Sequence, residues 1–266
     1  MSPICLFLFL WFDFNRINVL IILVIFFLFV LYFINQAKKG KSLFVRRIAG
    51  LDAIEEAVGR ATEMGKPILY ISGIEDMDNL QTVASMIILG NVAQMTATYD
   101  VPLLVPICRP FVVPVAEEAV KQGYSKAGRP DAYDKNNIRY ISDEQFAYTA
   151  GVNGIMLRDR PAANLMFGSF FAESLIMAET GFSTGAIQVA GTANIHQLPF
   201  FVVACDYTVI GEELFATSAY LSKEPKLLGS LKGSDLAKFL IMIILILGAL
   251  LETFGITKFS SWFFVQ

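Results

Sequence analysis

Hydrophobic positions along the chain fall into two long uninterrupted stretches near the ends and a series of short runs between them. Ile17 to Ile34 (INVLIILVIFFLFVLYFI) carries one polar side chain and no charge. At about 1.5 Å per residue it would cross roughly 27 Å, close to the hydrocarbon thickness of a bilayer. A second span is predicted over Leu236 to Phe254, with an apolar centre from Phe239 to Leu251 bounded by Lys238 and Glu252. Those two charged side chains can reach opposite interfaces by extending along the helix.

Between the spans the period changes repeatedly. Leu51 to Met64 has apolar residues at 51, 54, 57, 58, 61 and 64, the spacing of an amphipathic helix, closed by Gly65-Lys66-Pro67. Strand-like runs are predicted at Ile68–Ile71, Pro102–Cys108, Ile138–Ile141, Gly154–Leu157, Ala186–Ala190 and Pro199–Cys205. Helices are predicted to alternate with them: one capped by Asn79 and running to about Thr98, then residues 112–124, one opened by Ser142-Asp-Glu-Gln145, then Pro161–Ala178 and 207–221. Residues 125–137 read as a surface loop. Short apolar runs alternating with helices predict an α/β fold: a doubly wound, mostly parallel sheet, flanked by one N-terminal and one C-terminal transmembrane helix.

The resulting organisation is a short extracytoplasmic or interfacial segment (1–16), a transmembrane helix (17–34), a basic juxtamembrane linker (35–50), the α/β domain (51–222), a linker (223–235), a second transmembrane helix (236–256) and an aromatic tail (257–266). Lys38, Lys39, Lys41, Arg46 and Arg47 follow the first span and only Arg16 precedes it. Lys223, Lys226, Lys232 and Lys238 lead into the second and only Lys258 follows. Both helices thus predict a cytoplasmic domain with both termini outside, in the inner membrane of the cell.

Composition supports the membrane reading: 55% of residues are hydrophobic and 17% charged, against roughly 45–50% and 25% in soluble domains. A net charge of −3 gives no support to a nucleic-acid surface. Lipid bilayer and further copies of the same chain are the expected partners. Cys5, Cys108 and Cys205 are too scattered for a disulfide framework, and one histidine with three cysteines offers no zinc spacing. No metal and no cofactor is expected.

Candidate chemistry is sparse. Gly181-Phe-Ser-Thr-Gly185 matches G-x-S-x-G, but a nucleophile elbow needs a strand before its serine and a helix after it, the reverse of the order predicted here. His196 also precedes the nearest acid, Asp206. No catalytic residue is assigned. Neither common phosphate loop is present. A ligand in such a sheet would lie beyond the strand carboxyl ends, where this reading puts Gly73, Arg109, Arg158, Gly191, Thr192 and Asp206. The arginines could grip an anion, Gly191-Thr192 could approach it, and Asp206 could take a hydroxyl or cation.

The segment ISGIEDMDNLQTVASMIILGNVAQMTATYDVPLLVP, with RPAANLMFGSFFAESLIMAETGFSTGAIQVAGT, resembles an uncharacterised prokaryotic membrane-protein family, a domain of unknown function, over roughly residues 45–255. The resemblance implies a Rossmann-like domain attached to membrane helices and supplies no reaction or site residues. The expected function is a membrane-anchored, self-associating scaffold, with no enzymatic activity assigned. The alternative is a membrane-tethered enzyme or sensor of a nucleotide-like or other anionic ligand.

Overall fold

A computed structural model describes residues 17–39, 49–222 and 224–255. The predicted interfacial segment, most of the basic linker and the aromatic tail lie outside the described residues. The chain divides into two compact units, Arg46–Ser222 and the two ends together, Met1–Val45 with Lys223–Gln266.

In the first unit, helix α2 (Ala49–Met64) leads into β1 (Ile68–Gly73). There follow α3 (Leu80–Thr98), β2 (Leu103–Ile107), α4 (Val112–Lys126), β3 (Ile138–Tyr140), α5 (Gln145–Asp159), β4 (Ala163–Ser169), α6 (Glu173–Thr184), β5 (Ile187–Thr192), α7 (Leu198–Ala204), β6 (Tyr207–Ile210) and α8 (Glu213–Ser222). The six strands form one all-parallel sheet in the order β3-β2-β1-β4-β5-β6. That is the strand order of dinucleotide-binding doubly wound sheets, with the topological switch between β1 and β4.

Side-chain alternation along the strands feeds two cores. Tyr70, Val105, Leu165, Phe167, Val189 and Val209 pack under α2, α3, α4 and α8. Leu69, Ile71, Met166 and Ala190 face α5, α6 and α7, where Tyr148, Val152, Met156, Met177 and Phe201 close the second core. Both sheet faces are covered, so the central strands read as continuous apolar runs.

The elements through β3 follow the predicted positions closely, and so does β5. Two neighbourhoods do not. Gly154–Leu157, predicted as a strand, is the end of α5, while the predicted helix over Pro161–Ala178 is β4 followed by α6. Every residue of β4 is buried, and a strand buried on both faces cannot be told from a buried helix by its apolar run. Likewise Pro199–Cys205 is helix α7, not a strand, and residues 207–221 divide into β6 and α8. The capping signature at Ser142 acts two residues later: Glu144 is the cap, accepting from the backbone N–H groups of Phe146 and Ala147.

The second unit contains α1 (Ile17–Lys38) and α9 (Pro225–Thr253), each long and apolar enough to cross a membrane. Helix α9 begins well before the predicted Leu236. Its extra turns carry Gly229 and Gly233, where a Cβ would lie 2.6 Å from the Cα of Ile34 and 2.8 Å from the Cα of Val30 respectively. The two helices are therefore antiparallel, and glycines four apart let their backbones meet, as in small-residue packing between membrane helices.

Candidate functional site

The carboxyl ends of β1 and β4 should frame a crevice, and local backbone geometry determines how open it is. Gly73 has φ +82° and Gly168 φ +143°, values an L side chain rarely adopts. A Cβ on Gly73 would collide with the Ser169 carbonyl, and one on Gly168 with the Ser72 carbonyl. The register shifts between Ile71 and Gly73, and the Ile74 N–H donates to the Ser169 carbonyl at 3.0 Å. Glycine at both positions thus lets the two strand ends press together.

The space above them is occupied by the chain's own amides. Asn79 caps α3 by accepting from the Gln81 N–H at 2.8 Å, which sets the Gln81 side chain in the first turn. Gln81 Oε1 accepts from the Ala193 N–H at 2.7 Å and from Thr192 Oγ1 at 3.2 Å, while its Nε2 donates to Asn194 Oδ1 at 3.0 Å. Asn194 Nδ2 in turn donates to the Phe170 carbonyl at 2.6 Å and to Ser169 Oγ at 3.1 Å. Gln81, Ser169 and Thr192 are buried. This lattice joins the first turn of α3, which follows β1, to the carboxyl ends of β4 and β5, the side of a doubly wound sheet that receives its ligand.

Acidic residues are frequent in the loops at this edge of the sheet. The β1–α3 loop carries Glu75, Asp76 and Asp78, and Asp143 and Glu144 precede α5. Glu173 is fully buried, its carboxylate accepting from the Phe171 N–H at 2.8 Å and from Gln145 Nε2. Arg109 is half-buried, and its Nε donates to the Ile74 carbonyl at 2.8 Å. Burial pushes the Cys108 thiol up to about 11, with Arg109 opposing the shift. A pocket for an anion is poorly served by so many carboxylates.

Of the six candidate ligand residues, Gly73, Arg109 and Thr192 lie at the carboxyl edge, with Thr192 committed to Gln81 and Asn194. Gly191 is in the core, where a Cβ would sit 2.7 Å from the Phe167 ring. Arg158 and Asp206 lie at the opposite edge, because the elements carrying them differ from the predicted ones. Arg158 is in the last turn of α5, paired with Asp159 at 2.8 Å. Asp206 precedes β6, and its carboxylate accepts from the Gln188 N–H at the start of β5 at 2.8 Å. The structure does not bring the six together. Gln81, Ser169, Asn194 and Glu173 are the residues that sequence reasoning missed.

The G-x-S-x-G run has a structural explanation. Gly181 faces the buried amides of Asn164 and Gln188, and a Cβ there would collide with Gln188 Oε1. Gly185 ends α6, and Ser183 Oγ donates to the Thr180 carbonyl at 2.7 Å within the same helix. Burial, with the Asp206 charge adding, pushes the Cys205 thiol up to about 12. Among the described residues no group of three or more His, Cys, Asp or Glu side chains could hold a metal ion.

One family profile, described as a domain of unknown function (DUF6754), matches residues 9–263. The chain belongs to this family. No curated protein and no solved structure matches it. The DUF6754 match takes in the whole α/β unit and both apolar helices, and it brings no reaction with it.

Proposed function

We propose that the protein is a membrane-anchored scaffold that associates with further copies of itself, rather than a nucleotide-dependent enzyme. The observation that carries this reading is the amide lattice of Gln81 and Asn194, which occupies the position where a doubly wound sheet receives a ligand. The carboxylates of Glu75, Asp76 and Asp78 beside it further disfavour a phosphate. Helices α1 and α9 serve as the anchors, spanning the inner membrane with the α/β domain in the cytoplasm and both termini outside. The lysines and arginines flanking them support that orientation. Anchoring holds the domains at high local concentration, so a modest affinity between them suffices for assembly.

Sizing the full-length protein in detergent and in nanodiscs, with light scattering to give the protein mass, tests the proposal. A dimer or larger assembly is expected, and a monomer at every concentration would overturn it. The strand order β3-β2-β1-β4-β5-β6 favours a second reading, a ligand sensor at Gly73, Arg109 and Thr192. A thermal-shift screen of nucleotides and phosphorylated metabolites separates the two. Stabilisation that Arg109→Ala abolishes would support the sensor.

A further inference from the structure

Helix α7 is LPFFVVA, without a single polar side chain, and of its seven residues only Phe201 is buried. Phe200 is 38% exposed, Val202 55% and Val203 88%. Helices α6 and α7 and strand β6 pack side by side at this edge of the unit. Around α7, Phe182 of α6 is 75% exposed, Ile195 in the β5–α7 connection 77%, and Ile210 of β6 50%. At about 150–250 Å² for a fully buried aromatic side chain, Phe182 and Phe200 offer roughly 170–280 Å², to which two valines and two isoleucines add. One partner in a stable interface contributes about 800 Å². β6 is also the last strand of the sheet, with no described strand beside its outer N–H and C=O groups. Uncovered edges of this kind pair readily with another chain.

Charge narrows the choice of occupant. From residue 161 to residue 222, through β4, α6, β5, α7, β6 and α8, there is no lysine or arginine. A surface built to rest on anionic lipid or nucleic acid would carry cations. The core of a protein–protein interface is instead depleted of charge and enriched in aromatic residues. Helix α7 itself carries no charge, so two copies of it can face each other across a two-fold axis; the nearest acids in sequence, Asp206 and Glu212, bracket β6.

We infer that the surface formed by α7 and the β6 edge is the self-association interface, taking the same surface of a second copy in an isologous contact. This rests on the proposed scaffold function and names the surface through which it acts.

The test uses the full-length protein in detergent, comparing Val203→Glu, Val203→Lys and the control Phe111→Glu. Val203 and Phe111 are 88% and 77% exposed, so all three variants should retain the parent Tm and helical content. Val203→Glu and Val203→Lys should each raise the dimer dissociation constant at least tenfold, while Phe111→Glu leaves it unchanged. Mixing the two Val203 variants should restore the complex, because opposite charges then meet across the axis. An assembly that Val203→Glu leaves intact would overturn this interface, whether lipid or another protein covers α7, and leave the scaffold proposal standing. Failure of the mixture to recover would overturn the placement of Val203 against its own copy at the two-fold axis. A monomeric parent protein would overturn both inferences.

Discussion

Gln81 shows how much one buried amide can organise. Its three side-chain hydrogen bonds reach Thr192, Ala193 and Asn194, more than a hundred residues away. Gln81→Ala leaves the Ala193 N–H and the Asn194 carbonyl group without those partners, which should cost about 1–3 kcal/mol in urea denaturation. The cap at Asn79 was legible because a cap acts two or three residues away. The role of Gln81 was not, because nothing in an isolated glutamine names a partner so distant. Gly181→Ala should likewise destabilise by about 1–3 kcal/mol through overpacking against Gln188 and Asn164. The thiols add a pH dependence. Cys205 is raised from 9.0 to about 12, so folding favours the protonated form. Its stabilising contribution is complete below pH 9 and is lost as pH rises through about 12. Cys205→Ser should flatten the fall in stability over that alkaline window, as read by urea midpoints at successive pH values.

Between α5 and α8 every element except β5 departs from its predicted position, while the fold class stands. The buried face of α5 is Tyr148, Val152, Ile155 and Met156, a helical spacing present in the sequence but masked by the apolar run Gly154–Leu157. β4, buried on both faces, shows no alternation that could have distinguished it from a helix. Where one face meets water, as in α2, periodicity was sufficient. In the helix pair, Gly229 and Gly233 fell in a segment read as linker because its lysines and serines concealed a helix. Gly233→Leu would drive a side chain into the backbone at Val30 and separate α1 from α9. The expected result is a loss of roughly 1–3 kcal/mol, seen as a lower Tm in detergent.

For the molecule as a whole, charge is distributed unevenly. Residues 49–160 carry ten lysines and arginines, whereas residues 161–222 carry none. The cation-bearing half includes β1 to β3 and is still net acidic; the cation-free half supplies β4 to β6 and the exposed helix α7. Alternating apolar runs indicated the parallel sheet because crossover helices must separate parallel strands. They did not indicate where the candidate site would close, which depends on side chains from both halves meeting across the β1–β4 switch.

That meeting has a consequence for the order of events in folding. The Gln81–Asn194 bonds join an early helix to a late loop, so they can form only after β4 and β5 have docked beside β1. Contacts absent from the folding transition state chiefly govern the rate at which the native state comes apart. If the lattice forms after the transition state, Gln81→Ala should accelerate unfolding in stopped-flow denaturant jumps about 5- to 150-fold, the kinetic equivalent of its 1–3 kcal/mol, while leaving the refolding rate nearly unchanged. The lattice that closes the crevice would then also act as a latch, setting the lifetime of the closed sheet.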